Sequence, residues 1–254
     1  MKSDSPTALP ILAQGAGWVA LDKPSGCAPP ESGPEARAML SAAGIAVEER
    51  SSWRTVARTE RDASGALIIA QTDVHAAVMA QLADGSATRE HEALVRAYVV
   101  EDESTIDLPL DYDKRAGRMR IRRNGGEPAI TTIRVLERVA GHTLLSCIAR
   151  PGLLHQVRVH LQSADYPLAV DPVYGGGEQV LLSEFKSDYR ASSRHEERPL
   201  LARLSLHIAR FTFVDPATGE PTSVHSERPK DIRAALTQLA RCSAPRRGRG
   251  SARG

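Results

Sequence analysis

The chain has 254 residues, 41% of them apolar, and a formal net charge of +2, which supports one large core and leaves one domain or two open on length alone. No stretch approaches the roughly 18 uninterrupted apolar residues of a membrane span, and the opening MKSDSPTALPILAQG lacks a basic start, an apolar core and a cleavage site. Cytoplasmic residence is therefore expected, and Cys27, Cys147 and Cys242, far apart and without CxxC spacing, point to neither a disulfide framework nor a thiolate metal site.

In chain order, WVALDKPSG reads as a short strand, Trp18 to Leu21, stopped by a turn at Pro24 and Gly26. Ala, Met and Leu at helical spacing predict a helix near Pro34 to Ala43. ALIIAQ, Ala66 to Gln71, has the short β-branched character of a strand buried on both faces. Asp73 is the expected N-cap of a helix through VHAAVMAQLAD that ends near Gly85. His91 to Val100 predicts the next strand.

Between Asp111 and Ile133, alternating residues around Gly turns predict antiparallel ribbons. Period-two alternation puts Arg118, Arg120 and Arg122 on one face. That face reads either as solvated surface or as three like charges awaiting a polyanion. Thr143 to Ala149 is another buried strand, followed by a turn at Pro151 and Gly152 and the helix LLHQVRVHLQSA. On it Leu154, Val157, Leu161 and Ala164 share a stripe that His155, Arg158 and Gln162 flank. Glu184 to Arg198, rich in Ser and charge, reads as a mobile insertion. SLHIARFTFVDPATGEP supplies two strands around a turn, and Ile232, Leu236 and Leu239 mark a C-terminal amphipathic helix. Many strands, few helices and antiparallel ribbons predict an α+β domain. The last residues carry Arg246, Arg247, Arg249 and Arg253 among Gly, Ser, Ala and Pro, a composition that cannot form a core. They read as a disordered tail, either an arm on phosphates or plain solvated chain. The expected organisation is an extension over residues 1–14, a catalytic-type domain over 15–242 and a basic tail over 243–254.

Several sites are excluded by absence: no GxGxxG after a strand, no GxxxxGKS phosphate loop and no HExxH. His155 and His160 are five apart and fall on different helix faces, so a shared metal is not expected. Ser64 lacks the flanking glycine of a nucleophile elbow.

What remains is ARTERDASGALIIAQ, then REHEA, then PGLLHQVRVHL with DPVYGG behind it. In this order and spacing they resemble the RluA branch of the pseudouridine synthase family over nearly the whole chain. That family's HRLDxxTSGLLLxAK is matched at Arg58, Ser64, Gly65, Leu67 and Ala70. Its TGRTHQIRVHL and GDPxYG are matched at Gly152, His155, Gln156, Arg158, His160, Leu161, Asp171, Pro172, Tyr174 and Gly175. The resemblance implies a mixed, largely antiparallel sheet with flanking helices and a central RNA-binding cleft. It also implies isomerisation of uridine in ribosomal or transfer RNA without a cofactor or metal.

By position, Glu60 stands for the family's catalytic aspartate and Arg158 for the arginine that pairs with it. Arg58 maps to the arginine that enters the RNA helix as the base flips out. His91 takes the place of a tyrosine that stacks on the base and acts as a base toward the substrate. His155, Gln156, Arg61, Arg118, Arg120 and Arg122 join Arg58 as expected RNA contacts. Asp62 aligns with a variable position. The departures fall on reactive positions: Asp to Glu60, Tyr to His91 and Arg to Leu153. Glu60 keeps the carboxylate one methylene further out, and a shift of roughly 1 Å can cost about a hundredfold in rate. Two readings stay open, a divergent synthase or an RNA-binding protein that keeps the groove without turnover. The expected partner is structured RNA, with no membrane, and the expected state a monomer. Many family members carry a small basic domain ahead of the ALDKPSG segment, so target choice here is expected to rest on the domain and its tail.

Overall fold

The run SGALIIAQ is apolar toward both sides, and every position but its last is buried, as a strand at the centre of a layered domain requires. The computed structural model describes residues 8–30, 33–57, 59–186, 189–190 and 196–243. In chain order these contain β1 (Ile11–Gly15), β2 (Trp18–Lys23), α1 (Gly33–Ala42), β3 (Trp53–Thr55), β4 (Ser64–Gln71), α2 (Thr72–Asp84), β5 (Thr88–Val95) and β6 (Glu103–Asp107). There follow β7 (Leu110–Asp113), β8 (Arg118–Ile121), β9 (Ile130–Val139), β10 (His142–Arg150), α3 (Gln156–Ser163), β11 (Leu206–Val214), β12 (Pro221–His225) and α4 (Lys230–Ser243).

Ten strands form one sheet in the order β1-β2-β4-β11-β5-β10-β9-β6, with β3 added on β4 and β12 on β11, while β7 and β8 make a separate ribbon. β4 and β11 pair in parallel, at Ser64 with His207 and Gly65 with Ile208; the other ladders are antiparallel. This pair joins the two halves of the sheet. Gly65 has φ 114°, and a Cβ there would lie 2.2 Å from the Ile208 carbonyl oxygen, so the close approach depends on glycine.

Period-two alternation distributes the core over both faces. On one face of the first half, Ala66 and Ile68 pack with Val78 of α2 and with Phe211 and Phe213. Leu67 and Ile69 turn the other way, to Ala36 and Leu40 of α1. In the second half Ala93, Val95 and Leu145 meet Val157 and Leu161 of α3, and Leu94 and Leu144 meet Ile232, Leu236 and Leu239 of α4. Each Val, Leu, Ile or Phe side chain among these contributes about 1.5–3 kcal/mol by leaving water.

Several expectations change in detail. Residues 11–14, read as part of an extension, belong to β1 and pair with β2. Asp73 is not an N-cap: β4 runs straight into α2, Gln71 occupies the cap position, and Asp73 lies in the first turn, where its charge suits the helix dipole. The strand expected to reach Val100 stops at Val95, leaving Tyr98 and Val100 exposed. Within the segment read as an insertion, Phe185 packs edge-on against His142 at 5.0 Å, while residues 187–188 and 191–195 lie outside the described residues, as does the tail from 244 onward.

Candidate active site

Arg158 is one position past Val157 on α3, about 100° around the helix from the stripe that seals the core. It points at the loop that enters β4. There its Nη1 donates to Glu60 Oε2 at 2.5 Å. The remaining edge of the guanidinium is taken by Asp171, Nε to Oδ2 at 2.8 Å and Nη2 to Oδ1 at 2.6 Å. Asp171 is fixed in turn by the backbone N–H groups of Val173 and Tyr174, at 2.9 and 3.1 Å. Arg158 and Asp171 are both buried. Burial alone pulls the Arg158 pKa down, but hydrogen bonds and charge from Asp171 and Glu60 more than offset it, and the net shift is upward. The guanidinium is thus a permanent cation shared by two carboxylates.

His155, just ahead of α3, has left-handed backbone angles of φ 53° and ψ 16°. This conformation is uncommon outside glycine and clusters at functional sites. Its Nε2 lies 3.6 Å from Glu60 Oε2, and its Nδ1 lies 3.0 Å from the Tyr174 hydroxyl. Burial lowers its pKa, outweighing the upward pull of Glu60, and the Arg158 charge adds to the lowering, so the neutral ring is favoured at neutral pH. The Tyr174 ring carries Arg158 over its face at 4.9 Å.

His91 sits on β5 between Cys147 and Ile208 of the flanking strands. Burial, and next the charge of Arg89, pushes its pKa to about 3. The titratable base expected from the sequence is therefore a neutral ring at physiological pH, and its Nδ1 has no hydrogen-bond partner among the described residues. His91, Arg89 and Glu60 line one small cavity of about 20 Å³, closed by Leu153 and Leu154. On its other side Glu60, with His155 and Arg158, lines an open cleft of about 2010 Å³. The cleft is not uniformly basic: Arg61, Arg203 and Lys230 share its lining with Asp62, Glu178 and Glu227.

The structure separates the other expected contacts. Gln156 is 1% exposed, and its amide is spent on the Pro151–Gly152 turn, accepting from the N–H groups of Gly152 and Leu153 and donating to the carbonyls of Ile130 and Arg150. It supports the loop under His155 and offers nothing to RNA. Arg61 is exposed at the cleft, with Nε bonded to the Gly26 carbonyl at 3.2 Å. Arg118 and Arg120 do lie on one face of β8, and Arg122 follows its end. Their mutual repulsion is already answered: Arg120 pairs with Asp113 and Asp111, Arg122 pairs with Asp111, and Arg118 donates to the Val173 carbonyl. Arg58 lies outside the described residues.

Asp171, Tyr174 and Lys23 belong to the site in roles the sequence reading did not give them. Lys23 is 1% exposed; its ammonium donates to the carbonyls of Pro24, Cys27, Arg61 and Ala63, tying the ALDKPSG turn to the Glu60 loop. The available signal was a lysine ending an apolar strand just before a Pro and Gly turn.

Residues 17–163 match the family model described as RNA pseudouridylate synthase. The uncharacterized RNA pseudouridine synthase YlyB of Bacillus subtilis is 30% identical over 185 residues, 72% of this chain and 55% of that protein. A ribosomal large subunit pseudouridine synthase D from Nitrosomonas europaea is 35% identical over 188 residues, 73% of this chain and 51% of that protein. The chain spans about half the length of the curated relatives it matches. Among solved structures, human RNA pseudouridylate synthase domain containing 1 superposes with a TM-score of 0.66 at 21% identity, covering 96% of this chain and 91% of that one; the two share a fold.

Proposed function

Because the chain belongs to the RNA pseudouridylate synthase family, we propose that it isomerises uridine to pseudouridine in structured RNA, with Glu60 as the carboxylate that starts the reaction. The observation that carries this reading is the 2.5 Å contact between Glu60 and Arg158 on the lining of an open cleft. The reaction breaks the bond from ribose carbon to base nitrogen, turns the base, and forms a bond from the same ribose carbon to a base carbon. That carbon loses a proton and the nitrogen gains one, so atoms balance without a cofactor. A base in a duplex has to leave the stack first, and a wide cleft beside a fixed carboxylate is what such a base needs. Arg158 holds Glu60 in place, its guanidinium anchored along the remaining edge by Asp171. His91 presents a ring and a neutral nitrogen behind Glu60, and exposed Arg61 and the ribbon arginines supply contacts to phosphate. Relatives named for the large ribosomal subunit make its RNA the first substrate to test.

The test is incubation with bulk RNA from a strain lacking the gene, with pseudouridine read by chemical labelling. Wild type and Glu60→Asp are expected to form product, and Glu60→Ala none. RNA binding without product in wild type, with product only from Glu60→Asp, would overturn the reading in favour of a binding protein.

A further inference from the structure

We propose that Tyr174 and His155 are positioning residues for Glu60: the Tyr174 hydroxyl fixes His155 as the tautomer that aims an N–H at Glu60 Oε2. The argument is one of donors and acceptors. The Tyr174 oxygen accepts the backbone N–H of Met119 at 3.0 Å, a group that only donates. The hydroxyl proton must then go elsewhere, and burial raises the tyrosine pKa so that it is retained. His155 Nδ1, 3.0 Å away, receives it. A neutral imidazole that accepts at Nδ1 carries its own proton on Nε2, and Nε2 is the atom 3.6 Å from Glu60 Oε2. That distance is beyond a hydrogen bond but directs a dipole at the oxygen.

The same oxygen takes the Arg158 Nη1 bond. The Arg158 hydrogen bond and the His155 N–H dipole therefore both face Oε2. Tyr174 touches both donors, since its ring lies under Arg158 and meets the His155 ring edge-on at 5.6 Å. The left-handed backbone at His155 is the strain that this placement requires. The inference rests on the proposed function only in calling Glu60 the reacting group.

The full chain labelled with ¹⁵N-histidine would be studied by long-range ¹H–¹⁵N spectra at neutral pH, with His155 assigned by its loss in His155→Gln. The expected result is the Nε2–H tautomer in wild type. In Tyr174→Phe, which keeps the ring under Arg158, His155 should become a mixture of tautomers. With RNA, kcat should fall about tenfold, the size of one lost hydrogen bond, and KM should change by less than about twofold. An Nδ1–H tautomer in wild type overturns the proposal without any variant, as does a Tyr174→Phe spectrum unchanged from wild type or a changed tautomer with unchanged kcat. If the tautomer behaves as expected but wild type forms no pseudouridine, the proposed function fails and the positioning stands.

Discussion

Burial sets the protonation of His91. Its pKa, near 6.5 in the unfolded chain, is about 3 in the fold. Between these values the unfolded chain takes up a proton that the folded protein refuses. Stability is therefore full above about pH 6.5 and is lost as pH falls toward 3. His142, His155, His160 and His207 are lowered too, each mainly by burial, and act in the same direction. The urea midpoint is expected to drop as pH is taken down from 6.5, and the drop should be shallower in His91→Phe. An equal slope in wild type and variant would show that His91 carries none of the effect. The position of His91 could be read from REHEA, because it takes a motif place. Its protonation could not, because that depends on Arg89 and on strands distant in sequence packed against it. For the same reason Glu60 and Arg158 were legible as a pair, while Asp171, the second partner of that arginine, was known only as a motif match.

The ribbon of β7 and β8 shows what alternation can and cannot tell. Period two correctly placed Arg118 and Arg120 on one face, yet Asp111 and Asp113 are carried onto that same face by antiparallel register. Exposed ion pairs of this kind contribute little to stability, so their arginines can exchange a carboxylate for a phosphate at small cost. Arg120→Ala should weaken RNA binding and reduce the slope of log affinity against log salt by roughly one. Asp111→Asn, which removes the Arg122 ion pair and leaves Arg120 paired with Asp113 alone, should strengthen binding at low salt. Filter binding across a salt series checks both, and an unchanged slope in Arg120→Ala would remove the ribbon from the RNA path. The elements missed in the sequence are short or at sheet edges. β3 has three residues, and β6, ESTID, alternates exposed and half-buried positions with little apolar content. Such strands are held by a neighbour's backbone rather than by their own pattern. β4, β10 and α4 were legible because each buries a full apolar face.

At the scale of the whole molecule, the two halves of the sheet meet at the β4–β11 pair, and the candidate site straddles that joint. Glu60 enters from one half, and Arg158, His155 and His91 come from the other. Gly65→Ala would drive a Cβ into the Ile208 carbonyl and is expected to lower stability by about 3 kcal/mol or more, the scale of severe steric mutations. Turnover should fall with it; thermal melting with a parallel activity assay checks this, and a wild-type melting temperature would mean the joint relaxes freely. The sheet order itself was beyond the sequence, since β4 finds β11 only after most of the chain lies between them. That separation bears on synthesis. Ser64 and its partner His207 are 143 residues apart, and Glu60 and Arg158 are 98 apart. As the chain grows from its N-terminus, the acid is made long before the guanidinium that orients it and the strand that seats it. A half-translated chain therefore carries Glu60 without the Arg158 contact that holds it in the finished fold.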